Sequence, residues 1–399
     1  MFVANETVEY LDSDPVEGTS TGISVCSVDY SNLKDWDKRI LQSDGGSWRQ
    51  STYYGEYKRD FWHEIPVYLI ASEQGVILGQ LLVFFTHPYG WSLNRHGLLS
   101  LAPVLDRVFP WVYCAEGPIV FDGKRFVDVH EALYTWVIEE ARRRGCVGCS
   151  LTPSFYDPFF LTHRETLKER LAKIGFLAKE KSTFVVDLDG SEEELFTRLK
   201  KEARNKVRKG EKQGIKVDKI GDTAKEADLM LQAMRETASR NSVAPITRKT
   251  FEKSSWKCLY NDGLSHGFIS RSTEGHLLSS QQCVKFNGII SLGGVSYTDF
   301  SRDSSLYGND LVQWRVIQWG LHAGCRLIDF TGVSPNSKSE KMKAIYAFKS
   351  KWGGRQLDYV EFTFEFSNIR QLVHQFITRK TGSLLKGLYR RIHFIQKLR

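Results

Sequence analysis

Several protein classes are excluded by what the chain lacks. None of its 399 residues fall in an apolar run long enough to span a bilayer. The most apolar segment, residues 67–85, is interrupted by Glu73, Gln74, Gly75 and Gln80, which predicts a β-hairpin and no transmembrane helix. Residues 1–22 hold five acids and no Lys or Arg, so no secretory signal is expected. There are only seven cysteines, an odd number, which suits reduced thiols in the cytoplasm. Cys146 and Cys149 form a single C-x-x-C with no second pair and no His at zinc spacing, so burial in a strand is expected rather than metal or redox chemistry. Walker, G-x-G-x-x-G and G-x-S-x-G motifs are missing too. Nucleotide hydrolysis, Rossmann cofactors and serine-nucleophile chemistry are therefore unsupported, and the chain is expected to use no cofactor.

What is present points to a folded chain. Hydrophobic residues make up 41% and charged residues 26%, which is globular composition, and the length suits two domains. The formal charge is 55 minus 47, or +8, but residues 367–399 alone carry eight Lys or Arg and no acid. The charge excess therefore belongs to a basic amphipathic tail, which would meet an anionic partner such as RNA or a lipid surface, or else pack on its own domain.

An internal duplication sets the expected architecture. Leu133-Tyr134-Thr135-Trp136-Val137-Ile138, followed by Gly145-Cys146, aligns with Val312-Gln313-Trp314-Arg315-Val316-Ile317, followed by Gly324-Cys325, at an offset of 324 minus 145, or 179. Each copy has helical periodicity, a glycine stop and then a strand-length apolar run, as in a crossover between parallel strands. Two similar α/β domains are expected, over 23–181 and 182–366, after an acidic N-terminus (1–22) and before the tail.

The segment from Ser191 to Gln213 predicts one helix, opened by a capping box at Ser191 and Glu194. Leu195, Leu199, Ala203 and Val207 form an apolar stripe beside a basic one of Lys200, Arg204, Arg208 and Lys212. Like charges one turn apart repel, so the basic stripe suits an anionic ligand, and the arginine forks match phosphate oxygens.

These residues carry a family resemblance. Arg204-Asn205-Lys206-Val207-Arg208-Lys209-Gly210-Glu211-Lys212-Gln213-Gly214-Ile215-Lys216-Val217 resembles the R-N-x-I-R-K-A-x-K-x-G-x-x-V signature of FemABX aminoacyltransferases. Gln50-Ser51-Thr52-Tyr53-Tyr54-Gly55-Glu56-Tyr57-Lys58 is similar to the family's Q-S-x-x-W-G-x-x-K, with Tyr54 in place of Trp. Tyr113 to Asp122 resembles its Gly-Pro strand, with Glu116 where Arg is usual. Asn309–Trp314, Gly324–Gly332 and Phe348–Gly354 are similar to its closing motifs. The long helical arm that some relatives insert after the basic helix has no room here.

The resemblance implies tandem GNAT-like domains, with mixed sheets flanked by helices. It also implies amide-bond formation from an activated acyl group, usually that of an aminoacyl-tRNA, onto an amine of a diphosphate-bearing or lipid-linked cell-envelope precursor. Lys58 and Arg204 would hold substrate phosphates, joined by Asn205 and Arg208. Tyr54, Tyr113 and Tyr307 are candidate groove residues. Asp122 and Asp329 are candidate proton acceptors, and each could equally serve as a cap or ion-pair partner. Two rival readings stand beside this: an acyl-CoA N-acyltransferase acting on an amino sugar or amino acid, and a non-catalytic RNA- or membrane-binding protein. A cytoplasmic location is expected, with the tail admitting peripheral contact with an anionic membrane.

Overall fold

The structure, a computed structural model, describes residues 22–88, 93, 102–220, 224–241, 243, 246–252 and 263–366. The basic tail and nearly all of the acidic N-terminus lie outside the described residues. In chain order the helices are α1 (Trp36–Leu41), α2 (Thr52–Trp62), α3 (Ala102–Val108), α4 (Phe126–Arg143), α5 (Pro158–Ile174) and α6 (Glu192–Arg198). They continue with α7 (Lys201–Lys212), α8 (Ala224–Arg240), α9 (Arg248–Phe251), α10 (Asp299–Asp303), α11 (Gly308–His322) and α12 (Glu340–Ser350). Among the described residues no helix is long and apolar enough to cross a membrane.

Two compact units form, and neither is a single stretch of chain. The first comprises the residues up to Lys34, Trp62–Lys179 and the residues from Glu361, and the second Asp35–Phe61 and Glu180–Val360. The sequence suggested contiguous domains meeting at 181 and 182. The difference has a physical cause, because residues 35–61 are tied to the second unit: Asn287 Nδ2 donates to the carbonyls of Ser43 (2.8 Å) and Gly46 (3.2 Å), and Arg326 Nη2 donates to that of Asp44 (2.5 Å).

In the first unit, β1 (Ser24–Val28), β2 (Ile65–Glu73), β3 (Val76–Thr86), β4 (Trp111–Cys114) and β6 (Gly148–Leu151) lie side by side, while β5 (Ile119–Val120) pairs with β3. The expected hairpin is β2–β3. It turns on Gln74 and Gly75, both at positive φ (50° and 80°), which matches the twist of a tight hairpin. Strands β4 and β6 run parallel, joined by the crossover helix α4. Leu133, Tyr134, Val137, Ile138 and Ala141 of α4 are buried, and Gly145 follows at φ 67°. Residues Phe362–Glu365, far along the chain, supply the next strand beside β6.

The second unit repeats this plan. Its strands are the later part of β7 (Leu177–Asp187), β8 (Lys216–Ile220), β9 (Ser265–Arg271), β10 (Leu277–Phe286), β11 (Ile289–Leu292), β12 (Ser296–Tyr297) and β13 (Leu327–Val333), with β14 (Arg355–Glu365) contributing its first residues. The order is β7-β13-β11-β10-β9-β8, and β12 pairs with β10. Strands β11 and β13 are parallel and joined by α11, the counterpart of α4, and Gly324 repeats the φ of 67°. The duplication read from the sequence is thus a duplicated strand–helix–strand crossover.

The single helix expected over 191–213 is two helices. Leu199 and Lys200 are extended (ψ 145° and 148°) between α6 and α7. The break is stabilised by Arg204, whose Nη1 donates to the α6 carbonyl of Thr197 (2.8 Å) and to that of Leu199 (2.5 Å), and by Lys200 N, which donates to Lys351 O (3.0 Å). The apolar stripe survives the break, since Leu195, Leu199, Ala203 and Val207 are all buried. Helix α7 lies close to α11 at Gly210, where an added Cβ would stand 3.3 Å from Leu311 Cβ.

Candidate functional site

In the second unit the parallel strands β11 and β13 pair over three positions only, Ile289↔Leu327, Ile290↔Ile328 and Ser291↔Asp329. Beyond these pairs each strand departs from regular geometry. Open α/β sheets bind ligands outside the carboxyl ends of such strands, where the crossover helix begins.

On β11 the departure is a bulge. Cys283 faces Leu292 and Ser280 faces Ser296, so Gln281 and Gln282 oppose three residues, Gly293, Gly294 and Val295. Gly293 N donates to Gln282 O (2.9 Å), whereas the N–H groups of Gly294 and Val295 meet no acceptor among the described residues. Gly294 is exposed, and nothing lies within 4 Å of where its Cβ would be. Successive free amides of this kind can receive a developing oxyanion.

On β13 the register against β7 shifts between Asp329 and Gly332, and Thr331 sits at φ 63°. A β-branched residue there is under backbone strain. Asp329 is buried and accepts hydrogen bonds from Thr183 Oγ1 (2.5 Å) and Thr331 N (2.6 Å), while Lys349 Nζ donates to Thr331 O (3.1 Å) and Gly332 O (2.8 Å). Burial holds the Lys349 ammonium below its usual pKa, partly offset by the Asp329 carboxylate.

A cluster of charges surrounds the start of α11. Lys351 forms a buried ion pair with Asp310. Lys206 binds Glu202 (2.6 Å), and that contact, with smaller contributions from Asp310 and Tyr307, raises the lysine's pKa. Lys200 Nζ donates to Ser350 Oγ (2.9 Å), and Lys209 Nζ lies 5.5 Å from the Tyr307 ring.

The residues singled out from sequence divide between the units. Lys58, Tyr54, Arg204, Asn205, Arg208, Tyr307 and Asp329 belong to the second, and Tyr113 and Asp122 to the first. Arg204 spends Nη1 on two carbonyls, and its Nε and Nη2 make no hydrogen bond among the described residues. Arg208 is exposed, its guanidinium 5.3 Å from the Phe196 ring, and Asn205 is exposed as well. Lys58 is buried on α2 with Nζ 5.9 Å from the Tyr54 ring, which in turn packs edge-on against Trp48 at 4.8 Å. Asp122 caps a short turn by accepting from Lys124 N (3.0 Å), the structural role that sequence left open for it. Cys146 and Cys149 are buried and form no disulfide, and burial pushes their thiol pKa values up to about 11 and about 12. No metal-ligand cluster occurs among the described residues.

Sequence reasoning missed Lys349, Lys351 and Asp310, although all three lie inside the quoted closing segments. It also missed a carboxyl pair in the first unit. Tyr113 Oη donates to Glu64 Oε2 (2.6 Å), and Asp106 is pushed up to about 6 by burial and then by the Glu64 charge. Because the folded value lies above the ordinary 3.8, protonated Asp106 favours the fold, and that stability is lost as pH rises through about 6. Asp106→Asn is therefore expected to raise the melting temperature at about pH 7.5 and to leave it unchanged near pH 4. Thermal melts at the two pH values check this, and an equal shift at both would contradict the assignment.

No family model matches the chain, and no curated protein is similar to it by sequence. Solved structures share its fold. The crystal structure of FemX is 16% identical and superposes at a TM-score of 0.68, covering 88% of this chain and 99% of FemX. A tandem GNAT protein from the clavulanic acid biosynthesis pathway is 14% identical, with 86% and 98% covered at 0.51. L-PGS from Bacillus licheniformis is 11% identical, with 88% and 97% covered, also at 0.51. The chain thus has a FemABX-like fold built from two GNAT-like units.

Proposed function

We propose that this FemABX-like chain is an N-acyltransferase of cell-envelope biosynthesis, joining an aminoacyl group from aminoacyl-tRNA to an amine of a phosphorylated precursor. The observation that carries the reading is the bulge on β11. It presents two unpaired amides, Gly294 and Val295 N–H, where β11 parts from the strand bearing Asp329 and Thr331.

Aminolysis of an ester needs donors for the tetrahedral oxyanion and a route for one proton. In this reading the bulge amides receive the oxyanion as the amine nitrogen bonds to the acyl carbon. The C–O bond to the carrier then breaks, and the proton shed by the amine reaches the departing hydroxyl. Lys349, an ammonium made more acidic by burial, exchanges one of its contacts to Thr331 and Gly332 to donate to that oxygen. Phosphates would rest on the free edge of Arg204, with Lys58, Lys200, Lys206 and the exposed Arg208 supplying further positive charge.

The test offers purified protein a radiolabelled aminoacyl-tRNA pool and, separately, labelled acetyl-CoA, each with a mixture of amine acceptors. Label should leave the tRNA and appear in an amide. Transfer from acetyl-CoA alone would replace the donor assignment, and transfer from neither would reject the reading.

A further inference from the structure

Two glutamines lie in the core of the second unit, each 1% exposed. Gln313 of α11 donates from Nε2 to Gln281 Oε1 of β10 (2.6 Å), and Gln281 Nε2 donates to the carbonyls of Gln282 (2.6 Å) and Gly293 (2.9 Å). Burying two primary amides is costly, and an apolar pair would fill the same space at lower cost. Their placement therefore calls for a reason beyond packing.

The carbonyl they hold supplies one. Gly293 C=O and Gly294 N–H belong to the same planar trans peptide, so they point in opposite directions. Gripping the Gly293 oxygen from the core side aims the Gly294 N–H the other way, into the open space beside it. Between two glycines that peptide has little else to stop it rotating, because neither residue carries a Cβ. Gln313 also lies one helical turn from Asp310, so the chain of contacts runs from the Lys351–Asp310 pair along α11, through both glutamines, to the bulge.

We infer that Gln281 and Gln313 are positioning residues, which lock the Gly293–Gly294 peptide so that the Gly294 amide faces the reacting carbonyl. The inference rests on the acyl-transfer reading above. Losing the lock lets the peptide turn and misdirects the amide in the transition state more than in the ground state.

The experiment uses Gln281→Met, Gln313→Met and the double variant, which keep volume and remove the hydrogen bonds. With the labelled aminoacyl-tRNA pool as donor, kcat should fall roughly tenfold to hundredfold while donor KM stays within about threefold. The double variant should be little worse than Gln281→Met, since both remove one linkage. In full-length protein labelled with nitrogen-15 glycine, the Gly294 amide resonance should move in Gln281→Met while Gly210 and Gly320 stay in place, which also reports that the fold is intact. Unchanged kcat, or a rise in KM with kcat kept, would overturn the positioning role, and so would an unmoved Gly294 resonance. Wild-type protein that transfers no label overturns the acyl-transfer reading, and the resonance then decides separately whether the glutamines orient the peptide.

Discussion

Lys349→Met should lower acyl transfer by about two to three orders of magnitude, the loss typical when a donor to charge developing in the transition state is removed. The side chain keeps its stem and loses an ammonium that bonds the carbonyls of Thr331 and Gly332. Two consequences are expected together. The strained turn at Thr331 loses its brace, and the buried Asp329 loses the nearby positive charge that moderates it. Single-turnover rates with labelled donor check this, alongside a thermal melt that separates chemistry from unfolding. Lys349→Arg is the informative companion. It keeps the charge, but a planar fork cannot reproduce a compact ammonium between two carbonyls, so it should restore little activity. Full activity in Lys349→Met would remove this lysine from the mechanism.

The largest effect on stability should come from Lys351→Met. The Lys351–Asp310 pair is buried, with side-chain exposures of only 7% and 11%, and deleting the lysine strands a carboxylate in the interior. Breaking such a pair from one side costs about 3–5 kcal/mol. Asp310→Asn with Lys351→Met removes both charges and should recover much of that loss, because no uncompensated ion remains. Denaturant titrations of wild type, the two single variants and the double form a cycle that measures the coupling. If the double variant loses the sum of the two single losses, the pair is not a unit. Lys206 also feels the Asp310 charge, so donor KM should rise in Lys351→Met even where the protein stays folded.

Features legible in the sequence were those set by neighbours along the chain. The β2–β3 hairpin was announced by Gln74-Gly75, and the paired crossovers by matching helices stopped at Gly145 and Gly324. The buried stripe of Leu195, Leu199, Ala203 and Val207 was legible too, because a four-residue period marks one helical face. The break inside that stripe was not, since it depends on the Arg204 guanidinium turning back onto Thr197 and Leu199 and on a carbonyl from Lys351. Arg204 reads in the sequence only as a candidate phosphate contact, and its bonds to the Thr197 and Leu199 carbonyls emerge only once the helix ends are in view. Asp122 shows the same limit from the other side. An acid before Gly-Lys suits a proton acceptor or a cap, and only coordinates show its oxygen on Lys124 N. The bulge on β11 left no clear trace, because Gly293-Gly294 could equally be a plain turn until its register against β10 is known.

The interleaving of the two units bears on how the chain reaches its native state. A ribosome that has released residues up to Lys179 has delivered a first unit still missing Phe362–Glu365, which can pair with β6 only after the whole second unit has been synthesised. Severing the chain near residue 180 would likewise leave two fragments, one without its last strand and the other without residues 35–61, so neither would be a complete folding unit. The first unit therefore cannot close ahead of the second, and the apolar edge of β6 stays uncovered in the nascent chain until residues 362–365 emerge.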